Sequence, residues 1–167
     1  DYDSSCGGLV GRYTKADKTM YGIGELQYKI ANGITINSGG TLLTISTSNN
    51  CSIPFINNNG GTVLVSSNTQ GITEFSQSGG TAVFGGENIL VPYLYLNGGT
   101  ITTSQLNTIK CDILSSDYGT TELKVPLQCN TLYAKGKITG NTVNLIGDSF
   151  GGDGFIQSLN LCGSKAQ

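Results

Sequence analysis

Histidine is absent from this chain, and its absence removes most familiar catalytic plans. Ser-His-Asp and Cys-His arrangements need an imidazole base, and many zinc sites need an imidazole ligand. What remains able to do chemistry is a set of carboxylates, thiols and tyrosines. Asp112, Asp117 and Glu122 fall close together, and Asp148 and Asp153 sit in the glycine-rich run Gly147-Asp148-Ser149-Phe150-Gly151-Gly152-Asp153-Gly154. Paired carboxylates can hydrolyse glycosides, and a loop rich in oxygen donors can hold calcium. This loop lacks the bidentate glutamate that closes an EF-hand, and surface carboxylates ordinarily only solvate a protein. No catalytic pair, metal site or cofactor is assigned to these residues, and the expectation is a non-enzyme. Tyr93, Tyr95, Tyr118 and Tyr133 form an aromatic group that either stacks on sugar rings or packs on itself.

Nine Lys and Arg against eleven Asp and Glu give a net charge of -2, with no basic run. Binding a phosphate backbone needs clustered cations that release counterions, so nucleic acid is excluded as a partner. No stretch approaches the roughly 18 apolar residues of a membrane span, and none reads as a signal peptide. Low charge, abundant Thr and Asn, and 5 Cys point to an oxidising, extracellular or cell-surface setting, with a secretion signal already removed.

The elements that must position these groups follow from self-comparison. Gly-Gly-Thr occurs at Gly39-Gly40-Thr41, Gly60-Gly61-Thr62, Gly79-Gly80-Thr81 and Gly98-Gly99-Thr100, and degenerate copies follow at Tyr118-Gly119-Thr120 and Thr139-Gly140-Asn141-Thr142. Ser38, Asn59, Ser78, Asn97 and Asp117 precede the glycines, and a short β-prone run follows each copy. A period of about 20 residues marks a solenoid whose single unit cannot bury its apolar side alone. Strand signals without helical periodicity make that unit two or three short strands joined by tight corners, stacked about 4.8 Å apart. The expected fold is all-β: a parallel β-helix of about six to seven coils over 25–167, with a non-repeat extension over 1–24 that serves as a cap or an intersubunit linker. The glycines are its structural corners. Thr41, Thr62, Thr81, Thr100 and Thr120 are expected to stack as a ladder beside them.

From roughly Gly33 to Gly163 the [Ser/Asn]-Gly-Gly-Thr repeat resembles the single-stranded parallel β-helix proteins. That resemblance implies an architecture. Proteins of this shape include polysaccharide lyases and hydrolases, adhesins, viral fibres, ice binders and structural coats. A pectate-lyase-like site would need clustered Asp and an Arg or Lys base on one face of the coils, yet the sole Arg, Arg12, precedes the solenoid. An ice-binding face would need a second threonine rank, and the positions two residues on read Leu43, Leu64, Val83, Thr102, Glu122 and Asn144.

Within the coil scheme, Cys111 and Cys129 lie about one turn apart and are a candidate disulfide, whereas Cys51 is about three turns from Cys111, out of reach. The odd cysteine count makes Cys6 and Cys162 candidates for bonds between subunits, and Asn50-Cys51-Ser52 makes Asn50 a possible glycosylation site. Phe155 to Cys162 still alternates like a strand, so the last coil reads as an open edge. These features point first to a structural subunit that assembles with itself, head to tail, into a filament, fibril or surface coat. The alternative from another class is a glycan-binding adhesin or viral fibre module, which would collect its aromatic residues on one exposed strip. A degenerate polysaccharide-active enzyme and an ice-binding protein stand behind these two.

Overall fold

Alternation of apolar and polar residues leaves each short segment with one oily side, and the chain buries those sides by winding them around a common axis. The computed structural model describes residues 11–14, 20–22, 33–44, 53–65, 69, 71–149 and 152–163. Among them there is no helix. The strands are β1 (Gly11–Thr14), β2 (Met20–Gly22), β3 (Ile34–Ile36), β4 (Thr41–Thr44), β5 (Phe55–Val65), β6 (Glu74–Phe84), β7 (Ile89–Leu90), β8 (Tyr93–Thr103), β9 (Ile109–Ser116), β10 (Thr120–Leu123), β11 (Leu127–Ala134), β12 (Lys137–Gly140), β13 (Val143–Ser149), β14 (Phe155–Ile156) and β15 (Leu159–Leu161).

From β3 onward every pairing is parallel, and each strand lies against the strand one turn away, which is the pattern of a β-solenoid of about six turns. The coil has three faces. The first is built from β7 and the starts of β9, β11 and β13, and ends in β15. The second is β3, the first halves of β5, β6 and β8, and the later parts of β9 and β11. The third is β4, the second halves of β5, β6 and β8, then β10, β12 and β14. Inward positions stack in columns. Ile56, Phe75, Leu94, Leu114 and Leu132 follow one another on the second face, none more than 3% exposed. Phe75 and Phe84 from the second and third faces meet edge to face at 5.3 Å, an arrangement worth about 0.5–1.5 kcal/mol beyond the area buried.

The Gly-Gly pairs lie between the second and third faces, and β5, β6 and β8 run through them as bulged bends, with the register slipping at Asn58, Asn59 and Thr62. Gly80 shows why glycine is required. Its φ is 77°, and a Cβ there would run into the carbonyl oxygen of Gly61 on the preceding turn. Gly61 is demanded by space alone, since its Cβ would strike Ile36, Gly40 and Asn37. Gly39-Gly40, Gly60-Gly61, Gly79-Gly80 and Gly98-Gly99 share this corner, with Asn59 opposite Gly79 and Ser78 opposite Gly98. Gly119 stays in the corner, but over Asn97. Gly140 leaves it: the residue ends β12 opposite Leu123, and Gly136 takes the sixth-turn corner against Tyr118 and Ser116.

The corner is sealed from inside by two buried amides that replace apolar residues in the column Ile36, Asn58, Gln77, Leu96. Asn58 Oδ1 accepts from the Gly61 N–H at 2.9 Å, and Asn58 Nδ2 donates to Gln77 Oε1 at 3.0 Å and to the Gly61 carbonyl at 3.2 Å. Gln77 Nε2 passes the link on to the Gly98 and Thr100 carbonyls, each at 3.2 Å. Backbone groups that the bulge leaves unpaired thus find partners in the dry interior, where an unmade bond is costly.

At the N-terminal end the parallel rule breaks. β1 pairs antiparallel with β4, Gly11 opposite Thr44 and Thr14 opposite Thr41, and β2 pairs antiparallel with β1. The described part of the extension is a hairpin laid on the chain's own first coil.

Two outcomes are expected in urea unfolding. Gly80→Ala should lose about 1–3 kcal/mol, while Gly79→Ala, whose Cβ would meet nothing nearer than Gly60 Cα at 3.5 Å, should be close to neutral. Asn58→Leu should cost about 1–3 kcal/mol despite its greater hydrophobicity, because the Gly61 N–H and Gln77 Oε1 lose their partner.

Candidate functional site

Outward positions on the second face carry the aromatic residues. Alternation along β8 points Leu94 and Leu96 inward and Tyr93 and Tyr95 outward, and on β11 it points Leu132 inward and Tyr133 outward. Register then sets the spacing. Tyr95 lies opposite Ser115, and Ser115 opposite Tyr133, so the two rings flank a serine one rung from each. Two rungs are about 10 Å. Ser115 points outward yet is only 8% exposed, so it forms the floor of a shallow slot walled by tyrosines. Tyr93 is 38% exposed one position along β8, and Tyr118 is 59% exposed at the adjoining corner.

The polar groups around the slot are mostly acidic. Burial raises the Tyr95 hydroxyl above its ordinary pKa, and the charges of Glu74 and Asp117 raise it further, as does Tyr93. Lys135 places its Nζ 5.5 Å from the centre of the Tyr133 ring. Its pKa is raised chiefly by a hydrogen bond with Tyr133, with Asp117 and Asp153 contributing. The Tyr95 hydroxyl therefore stays protonated at neutral pH and can donate. Glu74 and Asp117 act on Tyr95, and Asp117 and Asp153 act on the Lys135 ammonium group.

The other residues singled out from sequence divide between ordered stacks and positions outside the description. Thr41, Thr62, Thr81 and Thr100 are direct register partners on the third face. Thr120 does not join them: Glu122 stands opposite Thr100, and Thr139 follows it, because the corner before β10 is two residues longer than the repeat implies. Glu122 is bound to Lys124 at 2.6 Å on an exposed surface. Residues ahead of the glycines do stack, with Ser78 Oγ donating to Asn59 Oδ1 at 3.2 Å and Asn97 Oδ1 accepting from the Asp117 N–H at 2.8 Å. Asp112 accepts from Asn130 at 3.2 Å. Among the described residues no three His, Cys, Asp or Glu gather as a cation site, and no helix is long and apolar enough to cross a membrane. Cys6, Asn50 and Cys51 lie outside the described residues.

Cys111 and Cys129 are register partners on the first face, buried in the core, and both are free thiols. The expected disulfide is absent, although the strand spacing of about 4.8 Å lies within the backbone range of a bridge. The pair forms a thiol–thiol hydrogen bond instead. Donating it holds Cys111 well above the usual thiol range, with burial adding to the effect, and accepting it lowers Cys129. Sequence reasoning missed the buried Asn58 and Gln77. The available signal was a polar residue at an inward position of an alternating strand, two places before the glycine pair.

Peptide mapping after alkylation of the native protein should find Cys162, which is exposed, labelled, and Cys111 and Cys129 labelled only after unfolding, with no disulfide between them. Comparison with known proteins returns no matching family model, no matching curated protein and no matching solved structure, so fold and site geometry are what a functional reading stands on.

Proposed function

We propose that this chain is an extracellular, non-enzymatic recognition module, a β-solenoid that presents a tyrosine strip to neutral carbohydrate. The observation carrying this reading is the placement of Tyr93, Tyr95 and Tyr133 on the outer side of one face, with Tyr95 and Tyr133 bracketing the sunken Ser115. Tyrosine suits such a surface because the ring offers an apolar face to the C–H side of a pyranose while the hydroxyl bonds to its oxygens. The charge balance narrows the ligand class. With Glu74, Asp117 and Asp153 near the slot against Lys135, a uronate or sulfated chain would meet net repulsion, and a neutral polysaccharide would not.

The structural-subunit reading keeps one observation in its favour: among the described residues β15 pairs on one side only. It loses another, because the hairpin of β1 and β2 occupies the third-face edge that a head-to-tail neighbour would need. A long-range linker role for residues 1–24 has no counterpart in β1 and β2, which pair with their own coil.

Affinity electrophoresis of the full chain in gels containing neutral or anionic polysaccharides tests the proposal. Retardation is expected in at least one neutral gel and in no anionic one. Tyr95→Ala and Tyr133→Ala should each weaken it by about 0.5–1.5 kcal/mol, roughly 2- to 12-fold in apparent affinity, with circular dichroism unchanged. Retardation only by acidic polymers, or by none, or retardation indifferent to both substitutions, would remove the carbohydrate reading.

A further inference from the structure

We propose that the fifth-turn corner encloses one structural water molecule, held inside the coil between the hydroxyls of Ser116 and Thr121. The inference stands apart from the carbohydrate reading. Its first support is a pair of polar atoms that the fold buries without pairing them. Ser116 and Thr121 are both 0% exposed, and neither Ser116 Oγ nor Thr121 Oγ1 has a hydrogen-bond partner. Among the described residues no other buried side-chain nitrogen or oxygen is left so. The two flank the same short segment, 117–120, Ser116 closing β9 on the second face and Thr121 lying in β10 on the third. An unmade bond in a dry interior is costly, so two at one corner call for a shared partner.

The second turn shows what that partner replaces. Ser115 pairs with Tyr95, so the inward column Asn58, Gln77, Leu96 runs on to Ser116 and then Ala134. Thr121 lies opposite Gly99, one place before the threonine stack, which is the place Gly61 holds before Thr62. In the second turn these two positions are joined directly: Asn58 Oδ1 accepts from the Gly61 N–H at 2.9 Å, and Asn58 Nδ2 donates to the Gly61 carbonyl at 3.2 Å. In the fifth turn the amide has shrunk to a hydroxymethyl group, and the corner is two residues longer than in the fourth. Both changes remove the direct bridge. A water molecule restores it, because like the amide it offers two donors and two lone pairs.

Neighbouring groups set the chemistry of the ligand. A Cβ on Gly136, in the corner of the next turn, would strike both Ser116 Oγ and the Tyr118 carbonyl, so that carbonyl stands beside the serine as a third polar group. A buried water typically makes about three hydrogen bonds. All three groups are neutral, and Asp117, the one charge in the segment, is exposed. An ion would find no counter-charge inside, and an unpaired charge is very costly to take out of water. An apolar guest would leave both hydroxyls unmade. Room for water comes from the inward side chains, which fall in size from Leu96 through Ser116 to Ala134.

Oxygen-17 relaxation dispersion of the solvent, which registers long-lived water oxygens and not exchanging hydroxyl protons, tests the site in the full chain. Ser116→Ala, Thr121→Val and the double variant should each hold one long-lived water fewer than the wild type. Urea unfolding supplies a second readout. Each single substitution should raise the unfolding constant roughly 5- to 30-fold, because it strands the other hydroxyl. The double variant strands neither, so its effect should fall short of the two single effects combined. Equal water counts in the wild type and every variant, single substitutions that stabilise the fold, or effects that simply add would each overturn the proposal.

Discussion

Backbone contact at one corner of the coil is the constraint on which the rest of this structure depends. A Cβ on Gly80 would meet the Gly61 carbonyl, one on Gly99 the Gly80 carbonyl, and one on Gly98 the Ser78 carbonyl. Successive turns approach there more closely than side chains permit. Once glycines lock that corner, the rung above has a single register, and register decides the face of every neighbouring residue, because a slip by one residue turns a strand inside out. The threonine stack at Thr41, Thr62, Thr81 and Thr100 and the tyrosine slot over Ser115 are both consequences, one on each side of the same bend.

This dependence explains which features the sequence makes legible. One glycine pair per turn is a period, and a period of about 20 residues with β-formers is enough to read a solenoid. The same signal misleads where turns change length. Gly119 is 20 residues beyond Gly99, but the residue opposite Gly99 is Thr121, so Thr120 misses the ladder and Glu122 enters it. Gly140 keeps the spacing while occupying a different corner. Counting along the chain assumes that each bulge consumes the same number of residues, whereas the register slips at Asn58, Asn59 and Ser78 show that the corner itself is the variable element.

The candidate site was half legible for a related reason. Four tyrosines in nearby turns could be listed, but only the pairing Tyr95, Ser115, Tyr133 shows that two of them bracket a small residue. The thiols show the converse. Their one-turn separation was readable and correct as proximity, yet proximity alone does not decide oxidation state, and the two stand in the structure as free thiols. The buried amides resisted reading most, since Asn58 and Gln77 sit where alternation alone calls for Ile or Leu. Their role exists only because the bulge frees backbone groups beside them.

In a solenoid each rung is held chiefly by its two neighbours, so stability is nearly a sum of rung terms and interface terms, and a terminal rung lacks one interface. The first and last described coils differ in what lies against them. At the first coil β1 supplies the missing neighbour for β4 in the antiparallel sense, which satisfies the third-face edge without extending the coil. At the last coil the turns have shortened: Leu114 to Leu132 spans 18 residues, and Val143 to Leu159 spans 16. A shorter turn encloses fewer inward side chains, and β14 and β15 contribute only two and three residues to the final layer. With Leu159 and Leu161 44% and 50% exposed, that layer buries little apolar area, so local opening should be easy there and spread toward the amide-sealed corner at Asn58 and Gln77. Whatever covers Leu159 and Leu161 therefore stabilises this rung, and its effect on the slot over Ser115 passes through β13 and β11, whose register carries Tyr133.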